Sequence, residues 1–315
     1  MSGELWRGWA RRAAMAPGAV YALILLSLVF SVFTAQFLTL PNLANVGIQA
    51  SVLIIVALGM TLIILSEGID LSLGTVLGLA GVVLALCVKH ELGLVVGILL
   101  AILVGVTFGA INGVLITGLG LPPFVVTLGS FGMAQGLSLI LTKGRSIPGL
   151  GPRVQYFNDG WIAGIPVPVV LTAAAFLIVY VILYHTKFGT YVFALGGNEE
   201  ALALAGVRTR LYKTGVYVLG GALAGVGALV MTGRMNCAHP DVGVGLEFDA
   251  IAAVILGGTS FERGKGWLVG TLIGVAAVSV LRNGLNLIGL SSSWQMSTVG
   301  AVIILAIVVD ALRGI

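Results

Sequence analysis

Apolar residues run through this chain in long stretches, without the two-residue alternation of a half-buried strand. Charge-free segments extend from Ala13 to Ser66, Leu92 to Thr142, Gly160 to Thr186, Thr214 to Gly233 and Asn283 to Val309. About 20 apolar residues cross a bilayer as a helix, so the first two segments are long enough for two crossings each. Backbone polar groups in lipid must be paired within a helix or around a closed barrel, and unalternating runs exclude the barrel. The pattern predicts an all-α polytopic membrane protein with about ten transmembrane helices. They fall near 18–38, 48–66, 72–88, 92–118, 123–142, 166–185, 214–233, 249–260, 267–282 and 296–312. The eighth is too short to cross alone at 1.5 Å per residue. It is tilted, extended by Glu247 and Phe248, or partly re-entrant. Residues 1–315 read as a single transmembrane domain with one long loop at 187–213.

Composition strengthens this picture. Of 315 residues, 58% are hydrophobic and 9% charged, too few charges for a water-soluble surface, where about a quarter is usual. The net charge of +4 does not point to nucleic acid, because the basic residues are scattered between apolar spans and read as orientation signals. With the N-terminus inside, Arg7, Arg11, Arg12, Lys187, Arg208, Arg210, Lys213, Arg263, Lys265 and Arg313 are cytoplasmic. Lys143, Arg145 and Arg153 then lie on an external loop and weaken the bias. The apolar run after Arg12 continues past any signal-peptide length without a convincing cleavage site, so it is expected to remain as the first span. Cys87 and Cys237 read as small packing residues, and His90, His185 and His239 are too scattered for a metal site. Trp6, Trp9, Trp161 and Tyr184 near span ends suit interfacial anchoring.

The long loop carries a short helix with its own start and stop signals. Asn198 is a good N-cap, Glu199 and Glu200 suit the positive end of the helix dipole, and Ala201 to Ala205 favour helix. Gly206 can take the left-handed conformation that ends a helix. Such a small-faced helix, followed by Arg208, Arg210 and Lys213, is shaped to dock into a groove on a peripheral protein or to lie at the interface without a partner. Ionisable residues at membrane depth point to function, and Glu67, Asp70, Glu247, Asp249 and Asp310 lie at span ends. Asp70 with Ser72 either caps the third helix or lines a gate or wet pathway, and Asp249 offers the same pair of roles at the eighth. Asn112, Asn283 and Asn286 either bind solute hydroxyls or tie helices together. Gly68, Gly74, Gly257 and Gly258 permit turns or close contact. Asn112-Gly113 is followed 17 residues on by Gly129, and Asn283-Gly284 by Gly300, which hints at an inverted repeat.

The phrase from Tyr191 to Val207 resembles the coupling loop of ribose-type ATP-binding-cassette importer permeases. Residues 59–81, GMTLIILSEGIDLSLGTVLGLAG, look like that family's second and third spans joined by its GIDLS turn. Residues 245–274, GLEFDAIAAVILGGTSFERGKGWLVGTLIG, and 283–295, NGLNLIGLSSSWQ, resemble its C-terminal signature. The resemblance implies a permease of the vitamin-B12-importer type in the bacterial inner membrane, and the basic residues flanking the spans put both termini in the cytoplasm. It implies assembly with a second permease copy or a homologous permease, an ATPase subunit with two cassettes, and a periplasmic sugar-binding protein. Gly197, Asn198, Glu199, Glu200, Ala203, Gly206 and Arg208 would then couple to the ATPase. Asp70, Ser72, Asn112, Glu247, Asp249, Asn283 and Asn286 are the candidates for substrate pathway or gate. Phe261-Glu262-Arg263-Gly264 departs from the small, glycine-rich turn expected of the family. The same turn is no phosphate-binding loop: Thr259 sits where the first glycine of GxxxxGK[ST] belongs, and Gly266 follows the lysine.

The function expected is therefore a permease for a neutral monosaccharide, ribose or a similar pentose or hexose, since charge is scarce within the spans. No catalytic residue, metal or cofactor is expected on this chain, ATP and magnesium belonging to the partner ATPase. The alternative is an ion-coupled secondary transporter using Asp70 or Asp249. An intramembrane enzyme lacks a nucleophile and base at a recognisable spacing.

Overall fold

Each of the ten apolar segments carries a helix in the computed structural model, which describes residues 18–261 and 264–313. Trp6, Trp9, Arg7, Arg11, Arg12, Glu262 and Arg263 lie outside the described residues, as does the side chain of Asp310. The helices are α1 (Gly18–Phe33), α2 (Leu40–Leu65), α3 (Leu73–Lys89), α4 (Leu94–Leu119), α5 (Pro123–Thr142), α6 (Pro152–Asp159), α7 (Val167–His185), α8 (Lys187–Leu204), α9 (Thr209–Met235), α10 (Leu246–Leu256), α11 (Leu268–Leu287) and α12 (Ser292–Arg313). Two tiny antiparallel ladders join them: β1 (Ile147–Pro148) pairs with β4 (Cys237–Ala238), and β2 (Trp161–Ile162) with β3 (Ile165–Pro166). Among the described residues, α2, α4, α5, α7, α9 and α11 are long and apolar enough to cross a membrane, and α1 and α3 are shorter apolar helices.

The helix surfaces are arranged for lipid. In α4 the buried stripe is Gly97, Ala101, Gly105, Gly109 and Gly113 with Phe108, Asn112 and Ile116, while Val95, Leu99 and Leu103 face outward. Small residues inside and leucines outside is the reverse of a soluble helix, because in lipid close backbone approach drives association. The α4 stripe meets α9 in antiparallel order. Gly105 lies on Gly221, Gly109 on the Tyr217 backbone and Gly113 on Thr214, with Gly225 on Ile102. Thr117 and Thr214 close this seam with a hydroxyl–hydroxyl bond of 3.0 Å. At the centre stands α2, buried on every face from Ala50 to Leu65, as a helix apolar all round should be.

The eighth segment resolves into a half-length helix. At 11 residues, α10 rises about 16 Å, and it begins inside the bundle. Gly243 presses its Cα onto the Gly74 carbonyl in the first turn of α3, and the Pro240 carbonyl approaches Gly78. Leu73 in turn packs on Gly220, well along α9. The turn before α10 therefore descends beside α3, and Glu247 and Phe248 belong to the helix.

Two ends of the bundle gather different loops. At one, Gly196 of α8 sits on the Leu65 carbonyl and on Gly264, and the Leu268 N–H donates to the Tyr184 hydroxyl at 3.1 Å. Tyr184 thus ties α7 to α11. At the other, Lys89 donates to the Gly149 carbonyl at 3.0 Å, and the Asn236 side chain accepts from the N–H groups of Leu150 and Gly151. There α6 packs against Gly233 of α9.

Candidate functional site

Among the described residues, the candidate polar residues fall into four groups. The first lies where α3, α4 and α5 converge. Asp70 accepts from the Ser72 N–H at 2.8 Å and the Ser72 hydroxyl at 2.6 Å, an Asx-type turn that leads into α3. Its other oxygen accepts from the Asn112 amide at 3.2 Å, which also donates to the Ser72 hydroxyl at 3.1 Å. Ser130 donates to the Asn112 carbonyl oxygen. All four are buried. The Tyr217 hydroxyl is also buried, against Gly68.

The second group is a reciprocal amide pair. Asn42 and Asn283 each donate to the other at 2.9 Å, and Asn42 donates also to the Phe37 carbonyl at 2.8 Å. Both are buried, so this lock holds the start of α2 to α11. Asn283 is thereby spoken for, whereas Asn286, one turn on, is exposed.

The third group surrounds the buried start of α10. One Glu247 oxygen accepts from the Gly245 N–H at 3.0 Å, and the other has no partner and lies against Gly74. Asp249 does not cap this helix, as the sequence allowed. It pairs with Arg282 of α11, whose Nη2 reaches both carboxylate oxygens, at 2.7 and 2.6 Å. The reason is reach: α11 continues as a helix to Leu287, which carries Arg282 inward beside α10.

The fourth group is the long loop, more helical than the sequence suggested. Helix α8 runs from Lys187 to Leu204 but breaks at Asn198, whose φ of −168° and ψ of 97° are extended. Asn198 caps the second segment, its side-chain oxygen accepting from the Ala201 N–H at 2.8 Å. Gly206, at φ +82°, ends it: its N–H donates to the Ala203 carbonyl and the Val207 N–H to Leu202, the paired bonds of a Schellman motif. Lys213 pairs with Glu199 at 2.6 Å and fixes the segment to α9. Gly197, Asn198, Glu200, Ala203, Gly206 and Arg208 are exposed and Glu199 is partly so. Leu204 is 85% exposed.

Sequence reasoning missed Ser130, Asn42, Tyr217 and Arg282. For Arg282 a signal existed: Val275, Val278, Leu281 and Leu285 keep a helical three-and-four spacing across it, so the span continues past the charge. No solved structure matches the chain. It is 40% identical over 298 residues to the ribose import permease protein of Escherichia coli (strain K12), covering 93% of this chain and 92% of the relative. The ribose import permease protein of Bacillus subtilis (strain 168) is 40% identical over 295 residues, with the same coverage. A D-allose transport system permease protein of E. coli (strain K12) is 33% identical over 300 residues, covering 94% and 91%. The family described as branched-chain amino acid transport system / permease component matches residues 42–307, and the chain belongs to that family of polytopic membrane transport permeases.

Proposed function

We propose that this chain is the membrane-spanning permease subunit of an ATP-driven importer that carries a neutral monosaccharide, ribose or a close relative, into the cytoplasm. The observation that carries this reading is 40% identity across 93% of the chain to a ribose import permease. A family named for branched-chain amino acids leaves the solute open, and the scarcity of charge in the spans favours a neutral polyol over a zwitterion. In this reading ten segments cross the inner membrane with both termini cytoplasmic, in a fold of the vitamin-B12-importer type. ATP and magnesium act on a separate ATPase with two cassettes, a periplasmic binding protein delivers the sugar, and a second permease completes the conduit. The exposed second segment of α8, with its small face and Leu204 protruding, would dock on the ATPase and transmit its closure.

The test is uptake of labelled ribose by proteoliposomes holding this chain, the ATPase and the binding protein, with no ion gradient imposed. Uptake that requires ATP and the binding protein is expected. Uptake that instead needs a proton gradient and no ATPase would establish the ion-coupled alternative, which the closed hydrogen bonding of Asp70 already disfavours.

A further inference from the structure

Arg282 lies about 21 Å along α11 from its start at Leu268, by the 1.5 Å rise per residue, and so within membrane depth. Its side chain is 36% exposed, and Asn286, four residues on and so on the same helix face, is exposed as well. Acyl chains cannot solvate a guanidinium, so such a face meets water or protein rather than lipid. The other polar candidates differ. Asp70, Ser72, Asn112 and Ser130 are consumed by one another, and Asn42 and Asn283 by their reciprocal bonds. No solute reaches those groups without breaking bonds already made.

The geometry points to the α10–α11 face carrying Asp249, Arg282 and Asn286 as the wall of the solute pathway, with the Arg282 guanidinium and the Asn286 amide meeting the hydroxyls of a neutral polyol. Asp249 is met by Nη2 alone, while Nε is buried without a partner. The other terminal nitrogen, Nη1, is thus not spent on the carboxylate, whereas the buried Nε is out of a solute's reach. Because Asp249 cancels the charge, the site offers donors without net attraction for an anion, which suits a polyhydroxy ring. The class of solute rests on the proposed function; the placement of the wall does not.

Two arms test this in the assembled transporter in proteoliposomes. The first replaces Cys87 and Cys237 with alanine and introduces Asn286→Cys or, as a lipid-facing reference, Leu177→Cys on the exposed apolar side of α7. A charged, water-soluble methanethiosulfonate should modify position 286 at least tenfold faster than position 177. Equal, slow modification overturns the wall. The second arm measures ribose uptake by Arg282→Lys, which keeps the ion pair's charge but removes the planar fork. A rise in KM of tenfold or more is expected, and a parent-like KM overturns the role given to the guanidinium. If Arg282→Lys fails to assemble, the labelling arm decides alone. Labelling at position 286 without uptake of any sugar would sink the proposed function and leave the wall standing, and sugar uptake without labelling would do the reverse.

Discussion

Replacing Gly105 with alanine puts a carbon where the α4–α9 seam has no room. An ideal Cβ there would lie 2.0 Å from the Gly221 carbonyl oxygen and 2.7 Å from its carbon. Ordinary carbon–oxygen contact needs about 3.4 Å, so relief demands roughly 1.4 Å of separation in a close-packed interior. The obstacle is backbone, and no rotamer change removes it. The helices must part, which also opens Gly109 from Tyr217 and Gly113 from Thr214. Overpacking of this kind costs about 1–3 kcal/mol. The disturbance does not stay local, because α4 carries Asn112 and α9 carries Tyr217, and both approach the Ile69–Asp70 turn. Gly132→Ala on α5 is the control: nothing lies within 4 Å of its added Cβ, and alanine improves helix propensity by up to about 1 kcal/mol. The assay is thermal unfolding of the detergent-purified chain followed by size-exclusion chromatography. Gly105→Ala should lose its monodisperse peak at a lower temperature than the parent, and Gly132→Ala at the same or a higher one. An unchanged midpoint for Gly105→Ala would refute the claim that the seam depends on the missing side chain.

Three further outcomes are expected. Asn198→Ala should loosen the second segment of α8 by about 1 kcal/mol, read as faster hydrogen exchange over residues 199–204, and Asn198→Asp should restore protection. Asn42→Leu or Asn283→Leu alone should cost about 1–3 kcal/mol by stranding a buried amide, whereas the double leucine variant should recover much of the melting temperature. Asp70→Asn should impair the purified chain more than loss of a cap implies, because its new NH2 would face the Asn112 NH2. The swapped pair Asp70→Asn with Asn112→Asp should restore a donor opposite an acceptor and recover stability in the same melting assay.

What the sequence made legible was local. Asn198 and Gly206 announce the second segment of α8 because each works on backbone groups within four residues, and both do so in the structure. The apolar runs likewise place a helix in each of the ten segments, since length and polarity of a single segment decide whether it can lie in lipid, but they give no sign of the polar α6. The errors fall where a polar residue is satisfied from far along the chain. The apolar pattern starts the second span near 48, which leaves Asn42 outside it. Helix α2 begins at Leu40 because Pro41 suits a first helical turn and because the Asn42 amide is met by Asn283, 241 residues away. Asp249 looked equally like a cap until α11 brought Arg282 beside it. Periodicity carries no information about such a partner.

The same distinction bears on how the loop and the bundle interior are joined. Gly196, in the first segment of α8, has no side chain to cushion it: an added Cβ would come 2.0 Å from the Leu65 carbonyl and 2.7 Å from the Gly264 Cα. Helix α8 therefore rests directly on two backbones. One is the end of α2, from which five residues lead to Asp70 and its bonds to Ser72 and Asn112. The other is the turn between α10 and α11, the two helices that hold Asp249 and Arg282. Packed interiors shift between discrete arrangements and do not deform smoothly. Under the proposed function, a displacement of α8 by the ATPase would consequently be felt at both polar groups together. The sequence shows a small residue at 196 and cannot show what it touches, which is why the second segment of α8 was readable and the seat of the first was not.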